Sequence, residues 1–199
     1  MAQGRVIGTG HGGIPWHLPR DVKHFRNYTR GKYLLIGRHT FEEMQGWFSD
    51  HYPIMLTRQT DYTTEIGSVA NTMEGAMNQA RASGASELVV CGGAGLYHTA
   101  LPYADELILT LIDAGIEGTV LFPDYENAAK WETLSDEAFS ADKDNNHAMR
   151  IVHLRRLHPP RLAQKAVLDG KTRSAEYRND SEPDLFHPQG ASTQVRSSC

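Results

Sequence analysis

With 199 residues, 40% of them hydrophobic and 22% charged, the chain has enough apolar material for one packed domain and too much for wholesale disorder. A formal net charge of −4 and a pI of about 6.2 argue against a nucleic-acid partner held by bulk positive charge, and no apolar run is long enough to cross a bilayer. The first residues lack the charged-then-apolar order of a secretion signal. Two cysteines, Cys91 and Cys199, cannot make a disulfide framework, so a reducing, cytoplasmic setting is expected.

Gly8-Thr9-Gly10-His11-Gly12-Gly13 fits G-x-G-x-x-G. The dinucleotide fingerprint needs a helix to begin inside that turn, and Pro15 disfavours helix at Ile14, so a flexible loop able to act as a lid fits better. Leu18-Pro19-Arg20-Asp21 then opens a helix, with Pro in the first turn, an acid behind it and Val22, Phe25 and Arg26 giving one side. The run 33–37 is a strand, 40–44 begins a second helix, and 53–57 is a further strand. Thr72 caps a third helix in which Met73, Met77 and Ala80 share a face, ended by Gly84. A strand at 88–91 leads into a helix at 95–101, stopped by Pro102, and 107–112 is apolar on both alternating faces, as suits a strand covered on both sides. The stretch 147–157 is expected to pair with 131–139 across a loop at 142–146. Strands separated by helices imply a mainly parallel central sheet of the α/β class with flanking helices, to which the final hairpin adds an antiparallel edge. The composition changes at Pro159-Pro160, so residues 1–158 are expected to form the domain and 159–199 a disordered tail, either without a role or partner-binding.

Three features could carry chemistry. Cys91-Gly92-Gly93-Ala94-Gly95 lies between a strand and a helix start, where bare amides can hold a phosphate, though many such turns use glycine without a ligand. Gly37-Arg38-His39-Thr40 and Arg58 follow neighbouring strands; two guanidinium groups there either clamp a dianionic phosphate or are solvated surface arginines. Asp21 either complements the helix dipole or, on one face with Phe25 at i, i+4, is a lone pocket carboxylate with a raised pKa. His17 and His24 flank it and read as surface residues. The ten histidines show no metal pattern, and no serine stands in a nucleophile-elbow context.

Pro15-Trp16-His17-Leu18-Pro19-Arg20-Asp21, Phe25, Gly37-Arg38-His39-Thr40-Phe41-Glu42, Leu56-Thr57-Arg58, Cys91-Gly92-Gly93-Ala94-Gly95-Leu96-Tyr97 and Phe122-Pro123-Asp124 occur in this order, and together they closely resemble dihydrofolate reductase over residues 5–157. The resemblance implies NADPH-dependent reduction of 7,8-dihydrofolate, with hydride passing to pterin C6 and a proton to N5, in tetrahydrofolate biosynthesis and one-carbon metabolism, in a monomer of the class that antifolates target. It implies that Asp21 binds the 2-amino and N3 edge of the pterin, joined to Thr110. Val22 and Phe25, with Met44 opposite, would wall the pocket. The loop 8–16 would close over the nicotinamide with Ile14 at its tip, and Trp16 would hold an ordered water. Arg38 and Arg58 would grip the 2′-phosphate. Gly37, His39, Thr40 and Thr57, with Cys91, Gly92, Gly93, Ala94, Gly95, Leu96 and Tyr97, would hold the rest of the cofactor, with Gly92-Gly93 joined by a cis peptide. No metal, nucleic acid or membrane is implied.

Three departures from the family pattern stand out. Members begin with an apolar strand, central in the sheet, before the segment matching Arg5-Val6-Ile7-Gly8; here the chain starts Met1-Ala2-Gln3-Gly4 and that first strand is missing. Its loss would leave two neighbouring strands with unpaired amides and carbonyls, so a native start several residues earlier is expected. His51 stands where an arginine usually pairs with the glutamate tail of folate, a task that Arg26 could take over. Gly118-Thr119-Val120 replaces Gly-Asp-Thr and removes an acid that helps hold the lid closed. His51 favours, as an alternative, a pteridine or pyrimidine reductase of the same fold; the missing strand favours an inactive nucleotide-binding relic.

Overall fold

The computed structural model describes residues 1–10, 12–44, 46–158 and the backbone of 194–198. In chain order the elements are β1 (Val6–Gly8), α1 (Pro19–Thr29), β2 (Tyr33–Gly37), α2 (Arg38–Glu43), β3 (Tyr52–Leu56), β4 (Ser68–Ala70), α3 (Met73–Ala82), β5 (Glu87–Val90), α4 (Ala94–Ala100), β6 (Glu106–Ile112), β7 (Val120–Leu121), α5 (Tyr125–Ala128), β8 (Trp131–Phe139), β9 (Met149–Arg156) and β10 (Gln194–Ser198). One eight-stranded sheet has the order β4-β3-β2-β5-β10-β6-β9-β8, and β1 with β7 forms a separate antiparallel ribbon. Pairing is parallel from β4 through to β6; β9 runs antiparallel to both β6 and β8. The expected mainly parallel sheet with a final antiparallel hairpin is therefore what forms.

Strand alternation sorts the core onto the two faces of this sheet. Leu35, Ile54, Leu88, Val90, Leu107 and Leu109 point to the face covered by α3 and α4, where Met73, Ala76, Met77 and Ala80 complete the layer. Leu34, Ile36, Met55 and Val89 point to the other face and pack with Phe41 and Phe48, and with Phe25 and Tyr28 of α1. A small third cluster of Leu18, Ile112 and Met149 sits at the start of α1 with Trp16 against it. Thr72 caps α3 by accepting from the Gly75 amide at 3.0 Å, and Gly84 follows the helix with φ +76°, as its position predicts.

Two differences from expectation concern the chain ends. No gap is left in the middle of the sheet: β10 lies between β5 and β6, parallel to both, with Val195 opposite Leu88 and Ser197 opposite Val90 and Leu107. Next along β6, the Met1 ammonium donates to the Thr110 carbonyl and the Ile112 amide donates to the Met1 carbonyl at 2.9 Å. The expected disordered tail therefore does not hold for Gln194–Ser198, which meet the backbone demand of two buried strands. The remainder of that expectation, 159–193 and Cys199, lies outside the described residues, as does the short helix expected at 162–168. The strands β1, β4 and β7 span three residues or fewer, too short to leave a periodic signal.

Candidate active site

Asp21 is the third residue of α1, and its Oδ1 accepts from the Thr110 hydroxyl on β6 at 2.6 Å. Thr110 is buried at 2% exposure. Burial pushes the Asp21 carboxyl above the usual carboxylate range; the Thr110 hydrogen bond, the Met1 ammonium and the charge of His24 pull the other way and only in part offset it. A carboxyl that merely complemented the helix dipole would face solvent; Asp21 is instead half-buried and turned onto Thr110. Asp21 is reached because the start of α1 is held from outside the helix. Leu18 supplies no side-chain cap, and instead Asn145, in the β8–β9 loop, accepts from the Arg20 amide at 3.0 Å. Asp142 fixes that loop by accepting from the Asn145 amide at 2.8 Å, the Asn145 side chain at 2.9 Å and Arg20 at 2.6 Å, which lowers its pKa to about 2.

One turn along α1 from Asp21, Phe25 meets Trp47 with ring centroids 6.1 Å apart, and Met44 packs into the same cluster. Val22 and Ile14 are exposed, at 44% and 65%. Trp47, which also carries the Arg26 guanidinium 4.1 Å above its ring, escaped the sequence argument because it follows α2 without any period. His51 takes no place in this cleft. Its ring is 4% exposed and lies 3.1 Å from both the Thr29 hydroxyl and the Trp47 carbonyl, tying the end of α1 to the turn before β3. His24 is not the surface residue expected: its Nε2 is buried.

The loop between β1 and α1 is fastened from β7's side. The Thr119 hydroxyl donates to the Thr9 carbonyl at 3.0 Å, and a Cβ at Gly10 (φ +96°) would collide with that hydroxyl. The replacement of Gly-Asp-Thr by Gly118-Thr119-Val120 therefore leaves a neutral tether. Trp16 is half-buried at the base of the loop; His11 lies outside the described residues.

Across the sheet, two turns meet because β2 and β5 are neighbours. The Gly37 amide donates to the Gly92 carbonyl at 2.8 Å, Gly92-Gly93 is cis, and Gly93 caps α4. Thr40 faces this turn: a Cβ on Gly93 would lie 3.1 Å from its hydroxyl. Ala94 and Gly95 begin α4, whereas Cys91, Leu96 and Tyr97 are buried and support the turn from below. Thr57 is buried too; its amide donates to Ala70 and its hydroxyl accepts from the Gln59 amide at 3.2 Å. Arg38 opens α2 and Arg58 follows β3, so both stand at the carboxyl ends of adjacent parallel strands. Arg38 is held by Glu42 at 3.0 Å and approaches His39 Nε2 at 2.8 Å; Arg58 is exposed. Among the described residues no group of three or more His, Cys, Asp or Glu side chains could hold a metal, and no helix is long and apolar enough to cross a membrane.

A family model described as dihydrofolate reductase matches residues 1–156. The chain is 37% identical over 156 residues to the type 3 dihydrofolate reductase of Salmonella typhimurium, covering 78% of this chain and 94% of that protein. It is 33% identical over 148 residues to a dihydrofolate reductase of Neisseria meningitidis, covering 74% and 90%. A solved structure of the Enterococcus faecalis enzyme, complexed with NADP(H) and RAB-propyl, superposes with a TM-score of 0.69 at 31% identity, over 79% of this chain and 93% of that one.

Proposed function

The chain belongs to the dihydrofolate reductase family, and from that premise we propose that it reduces 7,8-dihydrofolate to 5,6,7,8-tetrahydrofolate with NADPH, acting as a monomer. The observation that carries this reading is the Asp21–Thr110 pair, a desolvated carboxyl one helical turn before Phe25, whose ring meets Trp47. A carboxylate with two oxygens in a plane matches the paired N–H groups of the 2-amino and N3 edge of a pterin, and flat aromatic walls match its rings. Thr110 occupies Oδ1 and fixes the carboxyl plane, leaving Oδ2 and the second lone pair of Oδ1 for the substrate. Desolvation keeps Asp21 proton-avid, so it favours the protonated substrate as N5 takes up its proton.

The residues present fit NADPH. Thr40 and the Gly92-Gly93 turn form a cradle that side chains would fill, and Arg38 with Arg58 offers the charge and planarity that a 2′-phosphate selects. NADPH supplies the hydride that reaches pterin C6. The chain's part is to hold both rings in one dry cleft: Val22, Phe25 and Met44 on the substrate side, Ile14 at the lid tip, and Trp16 keeping a single ordered water at its base. With His51 committed internally, Arg26 over Trp47 is the cation for the glutamate tail.

The fall in absorbance at 340 nm with NADPH and dihydrofolate tests the reading: saturable turnover is expected, and none with a folded, NADPH-binding chain would refute it. His51 favours a second reading, a reductase of tail-less pterins. A kcat/KM for dihydrobiopterin above that for dihydrofolate would replace the first reading by the second.

A further inference from the structure

Helix α2 carries its charges against its own dipole. Arg38 is its first residue and Glu42 and Glu43 are its last two, with no acid in the first turn and no base in the last. The Arg38–Glu42 ion pair also runs in the weaker order for i, i+4 neighbours, base before acid. Helix stability is a poor reason for such a pair, and its neighbours suggest a better one.

Arg38 donates from one terminal nitrogen to both oxygens of Glu42, at 3.0 and 3.2 Å. Tyr62, in the loop between β3 and β4, donates its hydroxyl to Glu42 Oε1 at 3.3 Å, and its ring packs against the cluster that holds Phe41 and Phe48. The carboxylate is thus held from two separate elements. The Arg38 guanidinium keeps it ionised by pulling its pKa below the ordinary value. The other terminal nitrogen of Arg38 meets His39 Nε2 at 2.8 Å; a guanidinium only donates, so that ring nitrogen accepts. Arg38 retains N–H groups beyond those turned to Glu42 and His39, so a phosphate can bind it without evicting Glu42. Arg58, the other half of the proposed clamp, is exposed and makes no ion pair among the described residues.

We propose that Glu42 sets how strongly this chain prefers a 2′-phosphorylated cofactor: it shares the Arg38 guanidinium with the phosphate, and its charge holds the preference below what two free guanidinium groups would give. This rests on the NADPH reading above and names the residue that tunes it. Two anions on one guanidinium repel each other, and the solvent around a partly exposed pair weakens that repulsion without removing it. A neutral amide in place of the carboxylate would still accept from Arg38 and Tyr62, so Arg38 would keep its orientation while the repulsion disappeared. A ligand without the 2′-phosphate brings no second anion to Arg38 and would not register the change.

The test is equilibrium titration of the full chain with 2′,5′-ADP and, as the same ligand without the 2′-phosphate, 5′-AMP. The wild type should prefer 2′,5′-ADP. Glu42→Gln should tighten 2′,5′-ADP roughly threefold to tenfold at low salt and leave 5′-AMP unchanged, and the gain should shrink at high salt. Glu43→Gln removes the next acid on α2, which makes no ion pair among the described residues, and should leave the ratio of the two affinities at the wild-type value. A 2′,5′-ADP affinity unchanged or weakened in folded Glu42→Gln, an equal gain for 5′-AMP, an equal gain in Glu43→Gln, or a gain indifferent to salt would each overturn the proposal while leaving the clamp in place. A wild type with no preference for 2′,5′-ADP would remove the clamp and the proposal together.

Discussion

The two sides of the proposed site are built in different ways. The side proposed for substrate is assembled by side chains reaching far along the sequence: Thr110 to Asp21, Asn145 to the Arg20 amide, Phe25 to Trp47. The side proposed for cofactor is assembled by backbone turns at the ends of neighbouring strands, where Gly37 meets Gly92 and two short helices begin. One side is specified by distant partners and is vulnerable to the loss of any one of them. The other is specified by local conformation and is vulnerable to any added atom.

The largest expected effect is on the substrate side. Asp21→Asn should lower kcat/KM at neutral pH by on the order of 10²–10⁴-fold, the usual worth of a positioned acid, with part of the loss recovered in acid where substrate arrives protonated. An unchanged rate profile would remove Asp21 from the reaction. The same substitution should raise Tm at pH 7. Because Asp21 binds its proton more tightly folded than unfolded, ionising it costs stability above its folded pKa, and that cost disappears as pH falls below the ordinary value of 3.8. The gain in Tm should therefore shrink toward acid; a gain independent of pH would point to packing instead.

On the cofactor side, Gly92→Ala sharpens the contrast. Gly92 has φ +96°, and a Cβ there would lie 3.0 Å from the Tyr97 ring. A loss of about 1–3 kcal/mol in unfolding free energy is expected, with weakened NADPH binding. Wild-type stability and affinity together would show that the turn is not locally constrained. Arg38→Ala should weaken NADPH by ~1.5–3 kcal/mol, the scale of a charged hydrogen bond, and leave NADH nearly unaffected. Equal losses for both cofactors, by fluorescence titration, would remove the 2′-phosphate clamp.

The smallest effect tests the external hold on α1. Asn145→Ala should cost about 0.5–2 kcal/mol, as lost helix caps do. It also removes the Asn145 side-chain hydrogen bond, the foremost of the contacts that hold Asp142 near a pKa of about 2. The stability that Asp142 contributes is present above pH 3.8 and lost as pH falls through about 2, so the variant should begin to lose it at higher pH than the wild type. Identical acid denaturation curves would separate the loop from the helix.

This contrast also explains what was legible in sequence. The cofactor turns are contiguous motifs, so Gly37–Thr40 and Cys91–Tyr97 could be picked out by their place between strand and helix. Asp21 and Phe25 could be paired by helical spacing, but Thr110, 89 positions away, was reachable only through the family resemblance. Trp47, Asn145 and the buried face of His24 have no spacing signal at all, because tertiary packing alone defines them. His51 was set apart in sequence as a departure from the family's arginine, and what it does instead, bonding internally with its ring 4% exposed, is defined by tertiary packing. The five residues of β10 carry no apolar pattern, and what places them is the pairing demand of β5 and β6 on either side.

The most direct test is a ¹³C NMR titration of the Asp21 carboxyl, with and without folate bound beside NADP⁺. The account predicts a midpoint above the ordinary carboxylate range in the unliganded protein and a carboxyl locked in the ionised form once the heterocycle is bound. A midpoint at the ordinary value that ligand leaves unmoved would contradict it.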